Sequence, residues 1–136
     1  MSKVLAIDYG KKRCGFAISD EDQSIAFPLE TVDNKEIYQY IKNITENENI
    51  VKFVIGLPRT NKNDLFNLES EIKLFIKKIK QDYPNLGIFR EDERFTSSLA
   101  KLLIAKSDLK KTKRENKKLI DKISATIILQ SFLKKF

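Results

Sequence analysis

Three apolar runs are packed into the first 32 residues, at 3–8, 15–20 and 25–32, with only 9–14 and 21–24 between them. Runs that short, rich in Val, Ile and Phe, read as β-strands. Gaps that short make neighbouring strands run antiparallel as hairpins. The rest of the chain changes rhythm. Asp33-Asn34-Lys35-Glu36 has the spacing of a capping box with Asp as the N-cap, and Ile37, Tyr40, Ile41 and Ile44 follow at helical period. Residues 50–55 (Ile-Val-Lys-Phe-Val-Ile) form a fourth strand, closed by Gly56-Leu57-Pro58. A polar loop at 59–64 leads to a helix with Leu65, Leu68, Ile72, Phe75, Ile76 and Ile79 on one face. Pro84 ends it, because proline disfavours helical geometry in the residue before it. Residues 87–91 give a fifth strand, 96–105 a short helix and 106–114 a polar loop. A last helix at 115–133 turns Leu119, Ile120, Ile123, Ile127 and Phe132 inward.

The order βββαβαβαα predicts an α/β fold with a mixed five-stranded sheet, three antiparallel strands followed by two parallel ones, and helices on both faces. The expected strand order is 3-2-1-4-5, with the first strand central and its C-terminal end at the point where connections diverge. Open α/β sheets bind ligands at such points. Asp8 sits there. With 136 residues, no repeat and no low-complexity linker, the chain reads as one domain spanning 1–136. No apolar stretch approaches the ~20 residues that span a bilayer, and no signal-peptide pattern opens the sequence. A cytoplasmic location without a membrane partner is expected.

What is missing narrows the chemistry. The sequence has no histidine and one cysteine. Ser-His-Asp hydrolysis, histidine-pair ribonuclease chemistry, HExxH zinc sites, internal disulfides and thiolate zinc clusters are all excluded. Cys14 reads as a small residue that fits its turn. Catalysis by this chain must come from carboxylates, Lys, Arg, hydroxyls or a hard, oxygen-ligated metal.

Charge is unevenly spread. The net charge is +7, yet residues 101–136 hold eleven of the 26 basic side chains and only three acids, Asp108, Glu115 and Asp121. One basic surface on an otherwise near-neutral body fits a polyanionic partner, and nucleic acid is favoured over a lysine-rich helix kept for solubility. Lys110, Lys111, Lys113, Arg114, Lys117 and Lys118 are candidates for contacts to a nucleic-acid backbone, which set affinity rather than sequence preference.

Three acidic spots are read as one site. Asp8 ends a buried run and precedes a glycine-punctuated turn; Asp92-Glu93 ends the last strand; Asp121 lies near the start of the last helix. Strand order alone separates Asp8 from the Asp92-Glu93 strand by roughly 10 Å. A glutamate just past the strand end could span part of that gap, and Asp92 is the competing choice. Gly10 and Gly15 serve either close approach of a phosphate or only the hairpin turn. Thr96 or Ser97 is expected to cap the following helix.

These motifs together resemble those of the YqgF (RuvX) family of the ribonuclease H-like superfamily. Asp8-Tyr9-Gly10-Lys11-Lys12-Arg13-Cys14-Gly15 is similar to its DxGxxRxG opening, Gly56-Leu57-Pro58 to its GLP loop and Asp92-Glu93-Arg94-Phe95-Thr96-Ser97 to its DERxTS signature. Asp121-Lys122-Ile123-Ser124-Ala125 is similar to its final helix. Two positions depart from the pattern: Asn63 where the family has a glycine, and Ser124 where a small apolar residue is usual. The resemblance implies a ribonuclease H-like fold and a metal-dependent nuclease that matures the 5′ end of pre-16S ribosomal RNA. It also implies catalytic carboxylates at Asp8, Glu93 and Asp121. Lys11, Lys12, Arg13 and Arg94 are further candidates for contact with the nucleic acid, and for Arg13 and Arg94 partial pairing with nearby acids is the favoured alternative.

The chemistry supports that reading independently. Phosphodiester hydrolysis needs an activated water and stabilised charge on the leaving oxygen. Clustered carboxylates holding Mg²⁺ or Mn²⁺ supply both, and no histidine is required. Two alternatives stand beside it: a resolvase cutting Holliday junctions, which works as a dimer, and a non-catalytic RNA-binding module. A pre-ribosomal RNA partner and a monomer or weak homodimer are expected. An actin-like or sugar-kinase ATPase needs two such domains and is rejected on length.

Overall fold

In the computed structural model, the structure describes residues 2–57, 62–92 and 113–134, with the backbone alone at 62–67 and 113–122. Five strands form one sheet: β1 (Lys3–Asp8), β2 (Arg13–Ser19), β3 (Ala26–Asp33), β4 (Ile50–Leu57) and β5 (Gly87–Asp92). A 3₁₀ turn (Asn34–Glu36) precedes α1 (Ile37–Asn47); α2 spans Lys62–Asp82 and α3 Lys113–Leu133. The sheet order is β3-β2-β1-β4-β5. β1 pairs antiparallel with β2 and parallel with β4, β2 antiparallel with β3, and β4 parallel with β5. The expected topology is the observed one.

Val4, Leu5, Ala6 and Ile7 are all fully buried, because the central strand is covered on both faces. One face carries large side chains: Leu5, Ile7, Phe16, Phe53 and Ile55 pack against Ile37 and Ile41 of α1 and Ile72, Phe75 and Ile79 of α2. The other uses small ones: Val4, Ala6, Ala17 and Val54 meet Ala125, Ile128, Leu129, Phe132 and Leu133 of α3. Alanines on both sides of that interface let the helix approach the sheet closely. Among the described residues, no helix is long and apolar enough to cross a membrane.

Several local expectations are corrected. Asp33 makes no side-chain cap bond; it stays in the β3 ladder opposite Arg13, so the capping box does not form and a 3₁₀ turn leads into α1. Helix α2 begins at Lys62, inside the expected loop, and α3 begins at Lys113 rather than 115. Its buried stripe is Ala125, Ile128, Leu129 and Phe132, while Ile123 and Ile127 are half-buried. The bulkier isoleucines misdirect a reading by hydrophobicity, since the alanine-lined face of the sheet admits a small contact residue. The expected helix at 96–105 lies outside the described residues.

Far from the divergent strand ends, Gln130 of α3 acts as an extra strand residue. Its Oε1 accepts from the Ala26 N–H at 3.0 Å and its Nε2 donates to the Ser24 carbonyl at 3.1 Å. This blunts one end of the β3 edge and fixes the C-terminal part of α3 over the β2–β3 hairpin.

Candidate functional site

Asp8 ends β1 with the parity of Val4 and Ala6, so it lies on the α3 face. It pairs with Gly15 of β2, which pairs with Thr31 of β3. On the other side, extending the pairing of Ile7 with Ile55 by one residue sets Asp8 level with Gly56, and Gly56 pairs with Glu91. One row across the sheet therefore reads Thr31, Gly15, Asp8, Gly56, Glu91. Both immediate neighbours of the carboxylate lack side chains. At about 5 Å per strand, Asp8 stands between two glycines, with Thr31 and Glu91 each about 10 Å away on either side.

The segment after Asp8 folds back tightly. A Cβ at Gly10 would run into the Arg13 carbonyl oxygen, so Gly10 serves the turn. Asn34 holds this turn from outside. Its Nδ2 donates to the Gly10 carbonyl at 2.7 Å and its main-chain N–H to the Lys12 carbonyl at 2.9 Å. Lys11 and Lys12 are exposed, whereas Arg13 is half-buried with Nε enclosed. Cys14 is buried and donates weakly to the Gly10 carbonyl at 3.8 Å. Tyr9 turns to the opposite face and packs on Phe75, ring centroids 5.1 Å apart. Burial pushes its hydroxyl pKa up, and a hydrogen bond with Asn34 opposes the shift.

At the ends of β4 and β5, Arg90 makes a clamp on the α2 face. Its Nε donates to the Ile55 carbonyl at 3.2 Å and Nη2 to the Gly56 carbonyl at 2.9 Å. It also forms a two-pronged pair with Glu69 of α2, at 2.8 and 3.2 Å. Glu91, 3% exposed, faces the other way and accepts from Ser131 Oγ of α3 at 2.7 Å. Alternation then places Asp92 on the α2 face, away from Asp8, and it is exposed. Of the two acids weighed from the sequence, Asp92 thus lies on the opposite side of the sheet from Asp8.

Glu93, Arg94, Lys110 and Lys111 lie outside the described residues. Asp121, Lys113, Arg114, Lys117 and Lys118 have described backbone positions on α3, Asp121 one turn before the buried Ala125. Among the described residues, no three Asp, Glu or Cys side chains gather closely enough to hold a metal ion. Sequence reasoning missed Asn34, Arg90 and Glu91. Strand alternation with Phe89 would have placed Glu91, but nothing in the sequence announces the reach of Asn34 back to Gly10.

The family described as "RuvX: Holliday junction resolvase" matches residues 2–135. The chain belongs to the RuvX family. A relative from Karelsulcia muelleri, named "Putative pre-16S rRNA nuclease", is 47% identical over 141 residues, covering 98% of this chain and 99% of its own. One of the same name from Bacteroides fragilis is 44% identical over 133 residues, covering 98% and 96%. Among solved structures, T. thermophilus RuvC in complex with Holliday junction substrate matches with a TM-score of 0.63 at 11% identity, over 99% of this chain and 96% of that one. The RuvX-family chain therefore shares the fold of RuvC, the ribonuclease H-like architecture expected from its motifs.

Proposed function

We propose that this RuvX-family chain is a nuclease that hydrolyses phosphodiester bonds with Mg²⁺ or Mn²⁺ held by Asp8, Glu93 and Asp121, and that it matures the 5′ end of pre-16S rRNA in the cytoplasm. The setting of Asp8 carries the reading: a carboxylate at the end of the central strand, flanked by two glycines, on the face covered by α3. A fold seeking only stability would carry side chains at both glycine positions. The donor set is all carboxylate oxygen, which suits a hard cation, and the glycines beside Asp8 add no side chain of their own where waters and a phosphate oxygen would complete its shell. When bound, the cation activates water and stabilises charge on the leaving oxygen.

Asp121 fits by height. Gln130 is tied to Ala26, which pairs with Ser19, and Ser19 Oγ accepts from the Val4 N–H at 2.8 Å. From Gln130 back to Asp121 the helix rises about 14 Å. From Val4 to Asp8 the strand rises about 13 Å. A helix running back along β1 thus carries Asp121 to the level of Asp8. Glu93 has the parity of Glu91 along the chain, which favours it over Asp92. Lys11 and Lys12, exposed next to Asp8, and the basic stretch at the start of α3 suit the phosphates of an RNA. The relatives that match nearly end to end carry the pre-16S rRNA nuclease name.

The test is Asp8→Asn, assayed on a pre-16S rRNA transcript with Mn²⁺. Cleavage should fall about a hundredfold or more, with RNA affinity and melting temperature close to those of the parent. Undiminished cleavage would sink the assignment. A four-way DNA junction in the same assay separates the substrates: preferential junction cutting by a stable dimer would favour the resolvase reading.

A further inference from the structure

We infer that Asn34 is a positioning residue for the nuclease reaction, holding the turn between Asp8 and Gly15 in one shape so that Lys11 and Lys12 are presented beside the acid. The inference rests on the nuclease reading above. Residues 9–12 lie between two strands and take no part in the sheet ladder. Their shape must be fixed from elsewhere. Asn34 donates twice, from its side chain to the Gly10 carbonyl and from its main chain to the Lys12 carbonyl. Its Nδ2 also lies 3.9 Å from Cys14 Sγ.

Asn34 is itself well anchored. It opens the 3₁₀ turn between Asp33, still paired with Arg13, and Ile37, 1% exposed in the core. The turn beside Asp8 is thereby coupled to the packing of α1. Both carbonyls it holds are acceptors, so a donor is required. An amide meets that need, and an isosteric carboxylate would set oxygen against oxygen at Gly10. Without this clamp, RNA binding must itself order the two lysines, and that entropy opposes binding.

The experiment compares the full chain with Asn34→Ala and Asn34→Asp by amide hydrogen exchange, by affinity for a pre-16S rRNA leader transcript in EDTA, and by cleavage in Mn²⁺. Amides of residues 10–14 should exchange about tenfold faster in both variants, as loss of one part-buried hydrogen bond implies. Amides of β4 should keep their parental rates. RNA affinity should fall roughly threefold to tenfold, and KM should rise by a larger factor than kcat falls. Unchanged exchange at 10–14 in Asn34→Asp overturns the inference. So does acceleration spread equally over β4, or failure of both variants to fold, since each marks Asn34 as a purely structural residue. If the parent cleaves no RNA, the nuclease reading fails on its own, and exchange and affinity still decide the role of Asn34.

Discussion

Replacing Arg90 with leucine removes four hydrogen bonds at once: two to the carbonyls of Ile55 and Gly56, two to the carboxylate of Glu69. The size of the loss follows from the setting. The two side chains are 25% and 23% exposed, between the surface regime, where a pair is worth about 0–1 kcal/mol, and the buried one, where breaking a pair costs about 3–5 kcal/mol. We take about 2 kcal/mol for the two-pronged pair. Each strand carbonyl has a second lone pair to satisfy, so the two main-chain bonds add about 0.5 kcal/mol together. Arg90→Leu should therefore cost about 2–3 kcal/mol. A chain of this length unfolds with an entropy near 0.3 kcal/mol/K, so the melting temperature should drop by about 7–10 °C.

A double-mutant cycle isolates the pair. Glu69→Leu alone should cost about 1.5 kcal/mol, because Arg90 keeps its bonds to Ile55 and Gly56. The double variant should cost less than the two single changes added together, with a coupling of about 1–2 kcal/mol. Urea unfolding of the four proteins gives the values. A coupling below about 0.3 kcal/mol, or an Arg90→Leu melting shift under about 2 °C, would refute the view that this clamp fixes the ends of β4 and β5 against α2.

Gly10→Ala forces a methyl group against the Arg13 carbonyl, and should destabilise the chain by about 1–3 kcal/mol in urea unfolding; a neutral result would show that the turn rearranges without cost. Asp20 supplies the pH test. Its carboxylate accepts from the N–H groups of Ser24 and Ile25 at 2.7 and 2.9 Å, and the Ile25 and Ser24 N–H groups hold its pKa below the ordinary 3.8. With the folded value depressed, its contribution is fully present above the ordinary pKa and is lost as pH falls through the folded one. The melting-temperature advantage of the parent over Asp20→Asn should therefore shrink as pH drops from 6 toward about 2; a gap that stays constant would rule this out.

Much of the fold is legible in the sequence because it rests on periodicity and on gap length. Runs at 3–8, 15–20 and 25–32 with short gaps can only be a meander, and the later helix–strand alternation leaves few right-handed arrangements. What the sequence hides is decided by contacts distant in the chain. Asp33-Asn34-Lys35-Glu36 satisfies the capping-box pattern, yet the β3 ladder keeps Asp33 and Asn34 is drawn back to Gly10. The face of α3 is hidden for a related reason: a hydrophobicity reading follows Ile123 and Ile127, while the alanine-floored sheet selects Ala125 and Ile128. For the candidate site, the place of Asp8 at the end of the central strand is legible in the sequence. That Asp92 faces α2, away from Asp8, follows only from the observed sidedness of Arg90 and Glu91.

The glycines beside Asp8 carry a broader point when two rows of the same face are compared. One row, two residues closer to the β2–β3 hairpin, reads Ala17, Ala6, Val54, Phe89, with Ala6 paired to both Ala17 and Val54 and Val54 paired to Phe89. Every member is apolar, and α3 packs on it. The next row on this face, about 7 Å along, reads Gly15, Asp8, Gly56, Glu91. Within that step the sheet passes from an apolar floor to a carboxylate with a glycine on either side. Glycine inside a strand is destabilising by about 0.5–1 kcal/mol relative to alanine, and two of them flank one acid. The stability forgone at this row is therefore localised around Asp8, the residue proposed above to hold the cation.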